Sequence, residues 1–75
     1  MKNFCEVLKE LRKAKGKTQQ KVADYLGVTC RMVQFYEAGT GHPDFKGLIK
    51  LADYFDVSID YLVGRSPNPK YDRWE

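Results

Sequence analysis

Residue types that commonly carry out catalysis are few and scattered in this sequence. Its single histidine is His42, and its two cysteines, Cys5 and Cys30, have neither CxxC spacing nor a histidine partner. An enzyme needs a nucleophile with a base, a metal cluster or a loop that holds phosphate, and none of these patterns is present. We therefore predict that the chain is not an enzyme, that it uses no cofactor or metal, and that both cysteines are reduced thiols.

Basic side chains crowd the first 21 positions of the chain and are the other candidates for chemistry. They include Lys9, Arg12, Lys13, Lys15, Lys17 and Lys21. The formal net charge of +3 permits contact with a polyanion without demonstrating it. Composition alone favours the alternative, that these side chains form the solvated face of a helix.

The length of 75 residues supports a single domain with one core. Hydrophobic residues make up 43% of the chain and charged residues 31%, which is typical of a globular protein. No apolar run approaches the roughly 18 residues that cross a bilayer, and Glu6 interrupts any signal-like stretch at the N-terminus. These features predict a cytoplasmic protein with no membrane partner.

Hydrophobic periodicity and capping residues predict an all-α domain of five short helices over residues 4–63. The first is predicted over residues 4–15 and the third over residues 30–38. Four polar residues are predicted to cap the N-termini of the second to fifth helices: Thr18, Thr29, Asp44 and Ser58. Glycines are predicted to end the first, second, third and fifth helices: Gly16, Gly27, Gly39 and Gly64. Within the fourth helix, Gly47 is expected to cost about 1 kcal/mol relative to alanine.

Residues 1–64 are assigned to this domain and residues 65–75 to a C-terminal tail. The tail contains Pro67 and Pro69, lacks periodicity, and yet carries Tyr71 and Trp74. Two interpretations remain open. The tail is a disordered end, as termini often are, or its aromatic residues dock on a partner subunit.

The second and third helices are joined by only three residues, Gly27-Val28-Thr29. Two short helices with a tight, glycine-containing turn have the sequence form of a helix-turn-helix. The residues around the turn are more specific than its length. From Thr18 to Thr29, at Val33 and from Tyr36 to Gly39, the chain resembles the phage repressor and Cro family of XRE-like regulators, whose pattern is T-Q-x-x-L-A-x-x-L-G-V-S, then I, then W-E-x-G.

The resemblance extends over about residues 4–64. It implies a five-helix, lambda-repressor-like domain that binds double-stranded DNA. It further implies a transcriptional repressor acting as a homodimer on a palindromic operator, with two recognition helices about 34 Å apart. No small-molecule ligand is indicated.

The resemblance also implies which residues contact the DNA backbone. Gln19, at the start of the second helix, is expected to bind a phosphate, and Gln20 is a weaker candidate. Lys17 replaces the apolar residue usual before the T-Q pair and is a further candidate. The remaining candidates are the helix cap and the residues near the loop after the third helix: Thr29, Thr40 and Lys46.

On the third helix, Arg31, Gln34 and Phe35 share a face that would lie in the major groove, with Cys30 near its start. Arg31 is expected to bind a guanine, or a phosphate at the rim, and Gln34 an adenine. Cys30, Met32 and Phe35 depart from the family because they are apolar where polar side chains are usual. Phe35 and Cys30 are expected either to contact thymine methyl groups or, for Phe35, to form a protein interface.

Other residues are assigned to the scaffold or to the dimer. By the resemblance, Arg12 and Glu37 pair across the first and third helices, and Gly27, Val33 and Tyr36 hold the motif together. The predicted dimer contacts lie on the fifth helix and in the tail, at Ile59, Tyr61, Leu62 and Trp74.

A protein-binding module on the same fold, such as an antitoxin or an adaptor, is the alternative function. Its support comes from the apolar side chains Met32, Phe35, Tyr71 and Trp74.

Overall fold

The computed structural model describes residues 2–65, which form five α-helices and no strand in that range. The predicted all-α fold is therefore confirmed. In chain order the helices are α1 Phe4–Ala14, α2 Gln19–Leu26, α3 Cys30–Ala38, α4 Phe45–Phe55 and α5 Ile59–Leu62. The interpretations of Tyr71 and Trp74 concern residues outside the described range.

Every helix has a polar N-cap residue, whose side chain accepts a hydrogen bond from a backbone N–H in the first turn. The caps of α2 to α5 are the predicted ones, Thr18, Thr29, Asp44 and Ser58. The cap of α1 was missed in the sequence. It is Asn3, which accepts from the backbone of Glu6 while the Glu6 side chain accepts from the backbone of Asn3. This reciprocal arrangement satisfies two backbone donors that the helix leaves unpaired.

One hydrophobic core joins all five helices, with α3 packed between α1 and α2, and α5 against α1 and α4. Its largest fully buried side chains are Phe55, Leu8, Leu51, Leu62, Val22 and Val33. Ala14 stands at helical spacing from the inward residues Val7 and Leu11, yet it is exposed in the last turn of α1. No helix between residues 2 and 65 is long and apolar enough to cross a membrane.

Gly47 allows the first turn of α4 to lie directly against the preceding loop. A Cβ added at Gly47 would lie 2.6 Å from the Cβ of Pro43, which is itself buried. Real Cβ atoms do not approach so closely, so the low helix propensity of glycine is offset here by packing.

The two ends of the described chain meet where α5 ends. Gly64 has a left-handed backbone, with φ of +85°, and a Cβ there would lie 2.0 Å from the carbonyl oxygen of Lys2. Only glycine combines this backbone conformation with such a close approach. The contact holds the start of α1 against the end of α5.

Candidate nucleic-acid interface

The α2 and α3 helices form a helix-turn-helix through a turn that begins at a left-handed glycine. Gly27 ends α2 with φ of 75°, and its N–H donates to Ala23 at 2.8 Å. The N–H of Val28 donates to the same carbonyl at 3.0 Å, and Thr29 then caps α3. These bonds satisfy the free backbone groups at both sides of the turn and fix how α3 is presented.

The α3 helix has one buried face and one exposed face. Val33, Tyr36 and Glu37 point into the domain and are almost completely buried. The exposed residues are Arg31, Met32, Gln34 and Phe35, and Cys30 is half-buried at the start of the helix. Because these side chains are not needed for the core, they are available for contact with another molecule.

The exposed face of α3 combines polar and apolar groups. Met32 and Phe35 are 38% and 39% exposed, so this face of the helix presents two large apolar side chains. The guanidinium carbon of Arg31 lies 5.4 Å from the centre of the Phe35 ring. The amide nitrogen of Gln34 lies 3.9 Å from the thiol sulfur of Cys30.

Gln19 is half-buried, and its amide nitrogen donates a 3.1 Å hydrogen bond to Oε1 of Glu37. The sequence suggested a phosphate contact for this side chain and gave no sign of an internal one. A glutamine amide has two N–H groups, so the bond to Glu37 leaves one donor over.

The threonines expected to contact phosphate differ in whether they keep a free hydroxyl proton to donate. Thr29 uses its hydroxyl oxygen to accept from Met32 and keeps its proton. Thr40, in contrast, donates its hydroxyl proton to the carbonyl of Phe35 at 3.3 Å and so helps to end α3. This bond satisfies the Phe35 carbonyl at the end of α3. Because a hydroxyl has only one proton, Thr40 then has none left to donate to a phosphate.

Three further candidates for phosphate contact lie around the motif in different settings: Gln20, Lys17 and Lys46. Gln20 is exposed and donates to Asp24 at 2.8 Å. The Lys17 ammonium lies 6.0 Å from the centre of the Tyr54 ring, within the range of a cation–π contact. Lys46 is exposed in the first turn of α4.

The motif is joined to α1 by a shielded ion pair. Arg12 donates to both carboxylate oxygens of Glu37, at 2.5 and 3.1 Å, and to the carbonyl of Lys17 at 3.0 Å. The Glu37 side chain is only 4% exposed. The hydrogen bond to Glu37 raises the pKa of Arg12 above its ordinary value, so the guanidinium keeps its charge.

The residues predicted at a dimer interface are not equally accessible. Ile59 and Tyr61 are half-buried against the core. Leu62 is completely buried inside its own domain, so the sequence prediction has to be corrected for this side chain. Leu62 is the last residue of the one-turn helix α5, and its side chain anchors this helix in the core. Trp74 lies outside the described residues.

Two surface features were missed in the sequence. Phe45, the first residue of α4, is 71% exposed. Tyr25 of α2 stacks on Tyr54 of α4 with 4.4 Å between ring centres. Phe45 stands at helical spacing from the inward residues Leu48 and Ala52, so periodicity gave no signal for its exposure. The contact between the tyrosines depends on how α2 and α4 pack.

Comparison with known proteins agrees with this geometry. Residues 8–62 match the family described as helix-turn-helix. The chain belongs to this helix-turn-helix family. It is therefore a domain of the XRE type found in DNA-binding transcriptional regulators, which agrees with the prediction that it is not an enzyme.

This helix-turn-helix domain is similar to several named regulators. It is 46% identical over 67 residues to the uncharacterized HTH-type transcriptional regulator YqaE of Bacillus subtilis, covering 89% of this chain and 58% of the relative. It is 43% identical over 60 residues to the cryptic phage CTXphi transcriptional repressor RstR of Vibrio cholerae, covering 80% and 54%. The chain thus spans little more than half the length of these relatives.

A solved structure has the same fold. The crystal structure of a transcriptional regulator from Listeria innocua matches with a TM-score of 0.82 and 39% identity. The match covers 96% of this chain and 64% of the other.

Proposed function

We propose that this helix-turn-helix domain binds a specific palindromic operator as a homodimer and represses transcription. The observation that carries the proposal is the exposed face of α3. Its guanidinium, amide and phenyl groups are free of the core and suit the edges of base pairs. The similarity to a protein named as a phage transcriptional repressor supports repression.

The contacts divide into two kinds. Arg31, Gln34, Phe35 and Cys30 of α3 contact bases in the major groove. Backbone phosphates are bound by residues around the motif, namely Lys17, Gln19, Gln20, Thr29 and Lys46, whereas Thr40 must first give up its hydroxyl bond to the Phe35 carbonyl. Phosphate contacts supply affinity and fix the orientation, whereas base contacts supply specificity.

A dimer is proposed because one domain of this size makes too few contacts for a specific site. Two copies related by a two-fold axis place their recognition helices about 34 Å apart, one turn of DNA. Ile59 and Tyr61 of α5, together with Trp74 of the tail, are the proposed contacts. Residues 1–64 are proposed as the DNA-binding domain and 65–75 as the tail. A DNA-binding regulator of this kind acts in the cytoplasm.

A protein-binding role is the second candidate function. It is favoured by the exposure of Met32, Phe35 and Phe45, since large apolar side chains at the surface often mark interfaces. Salt separates the two functions. Phosphate binding weakens by about 0.9 log units per contact for each tenfold rise in salt, whereas an apolar protein interface responds little.

The test is selection of binding sites from randomised duplex DNA at two salt concentrations, with the wild type, Arg31→Ala and Lys9→Ala. Lys9 is an exposed lysine of α1, so its variant controls for loss of one positive charge outside the motif. We expect the wild type and Lys9→Ala to enrich the same palindrome. Arg31→Ala should lose preference at symmetric positions within it.

Two results would contradict the proposal. Failure of the wild type to enrich any site would favour the protein-binding function. A sedimentation profile that stays monomeric at high concentration, with and without the enriched site, would exclude the dimer.

A further inference from the structure

Arg31 and Phe35 lie one turn apart on the exposed face of α3 and contact each other. The guanidinium carbon is 5.4 Å from the ring centre, within the range of about 6 Å in which a cation and an aromatic face attract. Residues four apart on a helix are neighbours, so the contact follows from the backbone and needs no other element.

A contact with an aromatic ring is compatible with hydrogen bonds from the guanidinium N–H groups. A guanidinium uses its flat face against an aromatic ring and its rim of N–H groups for hydrogen bonds. Among residues 2–65, the Arg31 side chain makes no hydrogen bond or ion pair. The ring thus restricts where the guanidinium lies, while its N–H donors make no bond among the described residues.

The Phe35 side chain is 39% exposed to water, so part of its apolar surface has no apolar partner. Phenylalanine has no donor or acceptor, so it gains nothing from the polar groups on a base edge. The one apolar group in the major groove is the C5 methyl of thymine. The two acceptors of a guanine, O6 and N7, are the matching partner for an arginine edge.

Resting on the proposed function, we infer that Arg31 and Phe35 recognise two neighbouring base pairs as one unit, Arg31 binding a guanine and Phe35 the methyl group of an adjacent thymine. The distance of 5.4 Å between the two groups suits adjacent pairs, whose rise is about 3.4 Å before the turn of the helix is added. In this unit Phe35 is also a positioning residue for Arg31. Its removal weakens the preference for guanine as well as that for thymine.

The experiment uses single-atom and single-group changes in the enriched operator. One duplex replaces the thymine next to the guanine with uracil, which removes only the methyl group. Another replaces the guanine with 7-deazaguanine, which removes only the N7 acceptor. Binding of both, and of the parent duplex, is measured by fluorescence anisotropy for the wild type, Phe35→Ala and Phe45→Ala.

Phe45→Ala is the matched control, because it removes an exposed phenyl ring from α4 and leaves α3 unchanged. For the wild type and this control, we expect uracil to weaken binding about fourfold, the value of one buried methyl-sized group. For Phe35→Ala the uracil effect should vanish. Its penalty for 7-deazaguanine should be about two- to fivefold smaller than that of the wild type, the range for an exposed cation–π contact.

Three outcomes would overturn the inference. Uracil could weaken Phe35→Ala as much as the wild type, or 7-deazaguanine could affect both proteins equally. An enriched operator without a guanine beside a thymine would also overturn it while leaving the proposed function intact. Failure to enrich any operator removes both. Thermal unfolding is used to check that Phe35→Ala and Phe45→Ala are folded, which we expect because both side chains are exposed.

Discussion

Arg12 of α1 and Glu37 of α3 form a shielded ion pair across 25 residues of sequence, with the guanidinium bound to both carboxylate oxygens. Glu37 belongs to the helix proposed to enter the major groove, and it lies on the buried face of that helix with Val33 and Tyr36. The pair therefore ties α3 to α1.

Loss of Arg12 alone should be more harmful than loss of the whole pair. Arg12→Leu leaves a buried carboxylate without its cation and should lower the free energy of unfolding by about 3 kcal/mol. Arg12→Leu combined with Glu37→Leu should recover part of this loss, because no charge remains buried. Urea unfolding followed by circular dichroism checks both, and equal losses in the single and double variants would contradict the argument.

Gln19 and Gln20 offer a paired test of phosphate binding. Gln19→Ala removes the bond to Glu37 and should cost about 1.5 kcal/mol of stability, as for a hydrogen bond to a charged group. It should also weaken binding to all duplexes to a similar extent, since a phosphate contact carries no sequence preference. Gln20→Ala loses only an exposed bond to Asp24 and is the control for stability.

These effects are measured by chemical unfolding and by anisotropy on the enriched and a scrambled duplex. A Gln19→Ala protein that loses stability and keeps its full affinity would assign Gln19 to the scaffold alone.

Gly47→Ala should destabilise the domain although alanine is the better helix former. Helix propensity alone predicts a gain of about 1 kcal/mol. The added Cβ meets Pro43 at 2.6 Å, and overpacking of this kind costs about 1–3 kcal/mol. In a Pro43→Gly background the obstructing Cβ is absent, so the same substitution should be less harmful. Thermal unfolding of the four proteins separates the two effects, and a stabilised Gly47→Ala would contradict the packing argument.

Gly64→Ala and Gly16→Ala form a matched pair. Both glycines have a left-handed backbone, with φ of +85° and +67°, and both variants bear the associated strain of about 1–2 kcal/mol. Only at Gly64 does the new Cβ also collide with the carbonyl of Lys2, whereas the space around Gly16 is open. Gly64→Ala should therefore lower the melting temperature clearly more than Gly16→Ala. Equal shifts would mean that the collision is relieved without cost.

Tyr36 should make the domain sensitive to alkaline pH. Burial, and secondly the charge of Asp44, raise the pKa of Tyr36 above its ordinary value of 10.0. Because the folded state disfavours the phenolate, stability is fully present below pH 10 and falls as the pH rises through the pKa of the folded protein. Tyr36→Phe cannot ionise, so its free energy of unfolding should fall less than that of the wild type between pH 10 and 11. Parallel urea titrations over pH 7–11 measure the difference.

Local chemistry explains why so much of the fold was predictable. Thr18, Thr29, Asp44 and Ser58 cap their helices through bonds to residues three positions ahead, which requires no knowledge of the fold. The two faces of α3 follow from helical periodicity in the same way. The match to a known motif supplied the rest of the candidate site.

Contacts between distant parts of the chain were beyond prediction from the sequence. The bond of Gln19 to Glu37 and the collision at Gly47 arise only after α2, α3 and α4 have packed. The burial of Leu62 arises likewise, because it depends on the packing of α5 against α1 and α4. The left-handed backbone of Asp56, with φ of 56°, carries no glycine to mark it.

The contact between Lys2 and Gly64 brings the beginning and the end of the domain to one point on its surface. A short peptide joining residue 65 to residue 2 would therefore close the chain into a ring with little distance to span. New ends could then be opened in the exposed segment around Thr40 and His42, between α3 and α4. Residues 2–65 are in this sense suited to circular permutation.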